Sequence, residues 1–176
     1  MDKLNVLVVG AGIGGLTAAL CLARRGHAVQ ILEQSAAVTT TGAGIQLSPN
    51  CTRVLHSLGL AGELAAAACM PDAIEIRYWR DARLIASAPL GHGITAKFGS
   101  PYYHIHRADL AQLLFEEVSK CCDIHCSATV DRVLDDGREV SALIGSTTYK
   151  ADLLIGADGI HSTVKNTCLA DENPRF

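Results

Sequence analysis

The sequence has 176 residues, 49% of them hydrophobic, which is enough for one domain and part of another. Its formal net charge is −3, and acidic and basic residues are interspersed, so nucleic acid and anionic membrane are poor partner candidates. Seven cysteines, an odd number scattered along the chain, suit a reducing compartment better than a disulfide framework, and we expect a cytoplasmic protein.

A glycine-rich turn near the start of the chain joins a predicted strand to a predicted helix. The turn has the sequence GAGIGG from Gly10 to Gly15, between an apolar run at residues 4–9 and an Ala- and Leu-rich stretch at residues 16–23. In this pattern Gly10 permits the turn, Gly12 lets the backbone approach a pyrophosphate, and Gly15 lets the helix pack closely on the strand. Free N–H groups at the start of the helix would face the phosphates.

An acidic residue follows the second predicted strand, at residues 28–32. Glu33 lies 18 residues after Gly15, a distance at which its carboxylate can accept hydrogen bonds from both hydroxyls of an adenosine ribose. A carboxylate here disfavours a ribose with a 2′-phosphate, so we expect FAD or NAD rather than NADP. The alternative, a glycine turn kept only for packing, does not account for Glu33.

The next segment is predicted to be a loop followed by a helix. Residues 42–47 contain two further glycines. They either let the backbone pass close to a flat ligand or belong to an ordinary mobile loop, and spacing alone does not separate these alternatives. Ser48 is the predicted N-cap and Pro49 the first residue of the following helix.

A β-hairpin is predicted over residues 73–79 and 83–86, where the strand pattern is broken by polar residues. It interrupts the alternation of strands and helices, and we interpret it as the beginning of a substrate-facing layer. Glycines bound residues 91–101, which are predicted to be a loop, and residues 102–106 are predicted to be extended.

The rest of the chain completes an α/β pattern. Residues 108–120 are predicted to be a helix, and residues 123–127 the third parallel strand. Antiparallel strands are predicted at residues 129–134, 139–144 and 147–150, followed by a buried parallel strand at 152–156 and another helix after Asp158-Gly159. The predicted fold class is α/β, a Rossmann-like three-layer domain with a parallel sheet and a β-meander.

Several motifs occur in the order seen in single-component FAD-dependent aromatic hydroxylases. They are the glycine turn, Glu33, GAGI at residues 42–45, SPN at 48–50, HRADL at 106–110 and LIGADGIHS at 154–162. Over its whole length the chain resembles class A flavoprotein monooxygenases of the salicylate hydroxylase and 3-hydroxybenzoate 6-hydroxylase branch. Lys165 stands where that family more often has arginine.

The resemblance implies a site for bound FAD, with NADH or NADPH as transient reductant and a small aromatic molecule as substrate. It places the ribose on Glu33, the pyrophosphate along the glycine turn, the flavin's phosphate or ribitol side on Arg107, and Asp158 near the pyrophosphate with an influence on NAD(P)H use. No catalytic residue is assigned. The predicted cofactor-binding residues are Gly10, Gly12, Ile13, Gly14, Gly15, Glu33, Gln34, Gly44, Ile45, Arg107, Asp158 and Gly159.

The resemblance also sets the expected domains. Residues 1–70 and 102–176 would form the FAD-binding domain, and residues 71–101 an inserted hairpin segment of the substrate-facing layer. Family members continue past the last helix to a later Gly-Asp motif, which this sequence lacks. We therefore expect a truncated chain that binds FAD weakly, oxidises NAD(P)H without hydroxylating a substrate, and is prone to self-association, with a homo-oligomer left open.

Two alternatives remain at this point: another enzyme on the same flavin fold, such as an epoxidase or reductase, and a non-catalytic FAD-binding remnant. Two clusters could also suggest a metal. Cys121, Cys122, His125 and Cys126 are interpreted as buried thiols and a neighbouring histidine on different faces, and His104 and His106 as packing or flavin-edge residues. No metal site is predicted.

Overall fold

The computed structural model describes residues 2–37 and 42–169. The strands are β1 Asn5–Val9, β2 Ala28–Leu32, β3 Gly44–Leu47, β4 Ala73–Arg77, β5 Leu84–Pro89, β6 Tyr103–His106, β7 Asp123–His125, β8 Arg132–Asp135, β9 Val140–Ile144, β10 Thr147–Ala151 and β11 Leu153–Gly156. The helices are α1 Ile13–Ala23, α2 Pro49–Ser57, α3 Ala61–Ala67, α4 Gly91–Phe98, α5 Arg107–Val118 and α6 Thr163–Cys168.

The described residues form two compact units. The first unit comprises residues 2–37 and 111–169, and the second comprises residues 42–110. The predicted domain limits also include residues 1, 38–41 and 170–176, which lie outside the described residues. The assignment of residues 71–101 to a substrate-facing layer remains a prediction.

The first unit is built on a parallel sheet with the strand order β11-β1-β2-β7. Val8 of the central strand β1 is in register with Ile31 of β2 on one side and with Ile155 of β11 on the other. Residues Val6–Val9 are at most 4% exposed, as expected for a parallel strand covered on both faces. The predicted parallel strands at residues 28–32, 123–127 and 152–156 are confirmed as β2, β7 and β11, but the predicted burial of the last strand is wrong, since Leu153 is 40% exposed.

Two further layers cover this sheet. Helix α1 packs against β1 and β2. On the opposite face, Leu7 and Val9 of β1 join a buried cluster with residues of the antiparallel β8-β9-β10 sheet and of α6, among them Ala142 and Val164. Because side chains alternate along a strand, β1 contributes buried side chains to the packing on both faces of the sheet. The predicted three-layer α/β fold with a β-meander is confirmed.

The second unit contains the antiparallel pairs β3–β6 and β4–β5, with helices α2, α3 and α4. One face of the β3–β6 ribbon carries Leu47, Tyr103 and Ile105, all buried. Helix α2 begins at Pro49, as predicted, and packs against β3, α3 and α4. The Ser48 hydroxyl donates to the Asn50 side chain at 2.5 Å, so it occupies the N-cap position without capping a helix N–H with its side chain.

Two predictions in this unit were wrong. Residues 91–101 were expected to be a loop, but Gly91–Phe98 form helix α4. The glycines that favoured a loop lie at its start and at its C-cap, where Gly99 has a φ of +73°, a common way for a helix to end. Residues 44–47, expected within a loop, pair with β6 as strand β3, because a neighbouring strand supplies the hydrogen bonds.

The predicted β-hairpin is confirmed as the pair β4–β5. Most residues of both strands are exposed, including Ile76 and Ile85, each 58% exposed. Within residues 2–37 and 42–169, no helix combines the length and apolar character needed to cross a membrane.

Candidate dinucleotide site

The first glycine of the turn is required by both conformation and space. Gly10 has a φ of +101°, in the left-handed region that side chains with a Cβ rarely adopt. A Cβ at this position would lie 2.4 Å from the carbonyl oxygen of Ala157. The Gly10 N–H donates to the Leu32 carbonyl at 2.8 Å. The turn is therefore fixed between the ends of β2 and β11.

The last glycine of the turn, Gly15, brings α1 against the turn. A Cβ at Gly15 would lie 2.0 Å from the Gly10 carbonyl oxygen and 3.2 Å from Cβ of Ala157. This distance leaves no room for any side chain, and it agrees with the packing role predicted for Gly15. The helix starts at Ile13, earlier than the sequence indicated, because the last two glycines of the turn already belong to its first turn.

The second glycine borders open space. Neither Gly12 nor Gly14 has any atom within 4 Å of an added Cβ, and both are exposed. Gly12 is the N-cap of α1, and no side chain caps this helix end and no acidic residue lies in its first turn. An uncapped N-terminus with free N–H groups and the positive end of the helix dipole suits an anion. The residues present thus fit a pyrophosphate.

Glu33 lies beside this turn and holds it. Its Oε2 accepts the N–H of Ala11 at 2.7 Å, and its Oε1 accepts the N–H of Ser35 at 2.8 Å. Burial raises the pKa of the Glu33 carboxyl, but the two backbone N–H groups outweigh it, so the net pKa lies below the ordinary value. The carboxylate is therefore ionised at neutral pH. Each oxygen keeps a further lone pair with which it can accept a ribose hydroxyl.

The contact between Glu33 and Ala11 was not predicted from the sequence. A signal for it was present, because Val9 and Leu32 end neighbouring parallel strands in register. Residues that follow two such strands lie at the same sheet edge. Glu33 is thus both a predicted ribose acceptor and a residue that fixes the turn, and only the first role was anticipated.

Asp158 caps a helix. Its Oδ1 accepts the Ser162 hydroxyl at 2.5 Å, and its Oδ2 accepts the N–H groups of Thr163 and Val164 at 2.7 and 3.2 Å. The Ser162 hydroxyl oxygen in turn accepts the Lys165 N–H at 2.8 Å. The side chain of Asp158 is therefore engaged with the start of α6. Its main chain lies beside the glycine turn, since its Cα is 3.0 Å from an added Cβ at Gly10.

The remaining predicted site residues are placed as follows. In the first unit, Ile13 opens α1, Gln34 is exposed directly after Glu33, and Gly159 is exposed directly after Asp158. The first unit therefore brings the glycine turn, Glu33 and the Asp158-Gly159 segment to one sheet edge.

The second unit holds Gly44, Ile45 and Arg107. Gly44 and Ile45 lie in β3, and Arg107 is the first residue of α5. The Arg107 N–H donates to the Ala43 carbonyl at 3.1 Å. Its side-chain stem passes 3.0 Å from where a Cβ at Gly42 would lie. The structure therefore places Arg107 against the glycine-containing segment that precedes β3.

Among the residues that the structure describes, no group of three or more His, Cys, Asp or Glu side chains could hold a metal ion. Of the cysteines interpreted as buried, Cys121 and Cys126 are exposed and Cys122 is half-buried.

Comparison with known proteins adds independent information. A family model described as FAD binding domain matches residues 3–172. The 3-amino-4-hydroxybenzoate 2-monooxygenase PtnB3 of Streptomyces platensis is 42% identical over 175 residues, which cover 98% of this chain and 43% of the relative. The 3-hydroxybenzoate 6-hydroxylase 1 of Aquipseudomonas alcaligenes is 37% identical over 177 residues, which cover 97% of this chain and 44% of the relative.

The chain is also similar to a solved structure that contains FAD. The crystal structure of CtdE in complex with FAD and substrate 4 has a TM-score of 0.82 and 27% sequence identity, over 94% of this chain and 40% of that chain. This chain thus spans less than half the length of the relatives it matches. The resemblance to aromatic hydroxylases is confirmed by these relatives. The family match over nearly the whole sequence shows that the chain belongs to the FAD binding domain family.

Proposed function

We propose that this chain is the FAD-binding part of an NAD(P)H-dependent flavoprotein monooxygenase that hydroxylates an aromatic ring. The observation that carries the proposal is the uncapped N-terminus of α1 at Gly12, with open space above it and the ionised Glu33 at the adjacent strand end. An anion-binding helix end next to a ribose acceptor suits an adenine dinucleotide.

The glycine turn and Glu33 at the edge of the parallel sheet, and Arg107 in the second unit, each have a proposed role. The N–H groups at the start of α1 would hold the pyrophosphate, and Glu33 would accept the adenosine ribose hydroxyls. The same carboxylate would repel a 2′-phosphate, which favours FAD over NADP as the resident ligand. In the second unit, the exposed cationic side chain of Arg107 suits the flavin's phosphate or ribitol side. Bound FAD would supply the transfer of electrons from NAD(P)H and the activation of oxygen.

The proposed substrate class follows from the relatives. Their names give 3-amino-4-hydroxybenzoate and 3-hydroxybenzoate as the molecules those enzymes hydroxylate. Both molecules carry a ring hydroxyl and a carboxylate, so we propose a phenolic or hydroxybenzoate-like substrate. NADH and NADPH are both proposed as reductants, and the exposed hairpin β4–β5 as part of the substrate-facing layer.

The FAD site is tested by flavin fluorescence titration of the purified 176-residue chain and two glycine variants. Gly12→Val should raise the Kd for FAD at least tenfold, because the side chain fills the space proposed for the pyrophosphate. Gly62→Val is the matched control, since Gly62 is also exposed and has no atom within 4 Å of an added Cβ. Its Kd should equal that of the wild type. A Gly12→Val chain that is folded by circular dichroism and binds FAD normally would contradict the assignment.

The activity is tested separately. The FAD-loaded chain is mixed with NADH or NADPH and a panel of hydroxybenzoates, and the products are separated by chromatography. Oxidation of NADH or NADPH without hydroxylated product is the outcome expected of a chain that spans less than half the length of its relatives, and hydroxylated product would extend the support to the full reaction. Bound flavin that neither nucleotide reduces would contradict it and favour a non-catalytic binding module.

A further inference from the structure

Two adjacent cysteines follow the end of α5. The Sγ atoms of Cys121 and Cys122 are 3.8 Å apart. The backbone of the turn fixes both residues, since their N–H groups donate to the same Val118 carbonyl at 3.0 and 2.9 Å. The Cys121 thiol also lies 3.6 Å from the carbonyl oxygens of Glu117 and Val118. The pair is therefore held together before any ligand arrives.

The two thiols differ in accessibility. Cys121 is exposed and Cys122 is half-buried. Burial, with the neighbouring Cys121 and Asp123, raises the pKa of the Cys122 thiol to about 12. Cys122 is therefore a protonated thiol at neutral pH. This arrangement suits a reagent that reacts first with the exposed Cys121. The reagent then reacts with Cys122, and its leaving group carries away the Cys122 proton.

The spacing favours a bridging atom over a sulfur–sulfur bond. Neighbouring Cα atoms are about 3.8 Å apart across a trans peptide, whereas unstrained disulfides need about 4.4–6.8 Å between Cα atoms. A tetrahedral centre with bonds of about 2.3 Å to two sulfurs holds those sulfurs about 3.8 Å apart, and a three-coordinate pyramidal centre with narrower angles holds them somewhat closer. From the observed separation of 3.8 Å, the two sulfurs therefore need only a small approach to accept a pyramidal bridging atom.

A structural zinc ion is a poorer occupant, because it takes four protein ligands. The described residues offer no third ligand near the pair. Cys126 lies four residues after Cys122, beyond the extended strand β7, and extended chain advances about 3.3 Å per residue. The pair therefore suits an atom that needs only two sulfur ligands from the protein.

We propose that Cys121 and Cys122 form a two-thiol site for a soft, thiophilic centre of the class represented by trivalent organoarsenicals. With an arsenoxide, R–As=O, two As–S bonds form and two S–H bonds break. The arsenic-bound oxygen leaves as water with both thiol protons. Arsenic stays trivalent, so no oxidant or reductant is needed. This site is independent of the proposed FAD function.

The test uses phenylarsine oxide and the full 176-residue chain. Intact-mass spectrometry should show one adduct per chain at equimolar reagent, and a colorimetric thiol assay should show two fewer free thiols. The adduct should resist excess glutathione and be removed by a dithiol such as 2,3-dimercaptopropanol. Reversal by glutathione alone would overturn the proposal, since it would mean that one sulfur holds the arsenic.

Variants and mapping locate the site. Cys121→Ser and Cys122→Ser should each lose the dithiol-specific adduct, while Cys126→Ser and Cys69→Ser keep it, with circular dichroism checking the fold of each. Fragmentation of the wild-type adduct should place the arsenic on residues 121 and 122, a readout that does not depend on any variant folding. An adduct that maps elsewhere, or that survives in both variants, would overturn the proposal.

Discussion

Replacing Glu33 with alanine is expected to destabilise the protein even without cofactor. The substitution removes both acceptors that hold the N–H groups of Ala11 and Ser35. It therefore removes one of two links between the glycine turn and the end of β2, leaving the bond from the Gly10 N–H to the Leu32 carbonyl, and it also removes the proposed ribose contact. A residue that only contacted a ligand would leave the cofactor-free protein unchanged.

The size of the effect follows from these two hydrogen bonds. Buried hydrogen bonds to charged groups contribute about 1.5–3 kcal/mol each. The Glu33 carboxylate is half-buried and water can replace it as acceptor, so we take about 1 kcal/mol for each bond, or about 2 kcal/mol in total. For a chain of this size that lowers the melting temperature by about 4–8 °C. Loss of the ribose contact should also raise the Kd for FAD at least tenfold, equivalent to about 1.4 kcal/mol.

Thermal unfolding without FAD, followed by a fluorescence titration with FAD, separates the two roles. Glu63→Ala is the matched control, because Glu63 is an exposed carboxylate in the first turn of α3. Its melting temperature and Kd should stay within error of the wild type. A Glu33→Ala chain with an unchanged melting temperature in the absence of FAD would refute the reasoning about the turn, whatever its Kd.

Three further outcomes are expected. The folded-state pKa of Glu33 lies below its ordinary value, so its stabilisation is complete above that ordinary value and is lost as the pH falls through the folded pKa. The difference in melting temperature between wild type and Glu33→Gln should therefore be constant from neutral pH to about pH 5.5 and shrink below about pH 4. Gly10→Ala should lower the melting temperature by more than about 2–4 °C, since a Cβ meets the Ala157 carbonyl in a left-handed conformation that costs about 1 kcal/mol or more. Asp158→Ala should cost about 0.5–2 kcal/mol, because it removes the acceptor of the first two N–H groups of α6 while the Ser162 cap remains, seen as faster hydrogen exchange at Thr163 and Val164 than in the wild type.

The sequence predicted best those elements whose signals are local. The second strand was placed at residues 28–32 and is found there, because the run between Gly26 and Glu33 is largely apolar and sharply bounded. Helix α4 was missed because its glycines suggested a break, while the contacts that keep it helical come from other segments. One of these is the Arg53 side chain, which donates to the Phe98 carbonyl at 2.7 Å.

In the candidate site, too, the features with local sequence signals were predicted, and those that depend on other segments or on the shape of a turn were missed. The glycine spacing and the acidic residue after β2 were readable from the sequence. The two side-chain roles that were missed depend on tertiary pairing or on local capping geometry: Glu33 reaches Ala11 because β1 and β2 are neighbours in register, and Asp158 caps α6 through a turn whose shape the sequence left open. In both cases a carboxylate interpreted as a ligand contact also bonds to backbone N–H groups.

The contact between Gly10 and Ala157 has a consequence for how the protein is made. A ribosome that adds about 5–20 residues per second needs roughly 7–30 s to travel from the first of these residues to the second. During that time β1 has emerged without its partner β11, and the face of β1 that bears Leu7 and Val9 lacks the strands that bury it in the finished protein. Until β11 has been made, the nascent chain therefore presents an apolar strand with one free edge, which exposes this segment to aggregation.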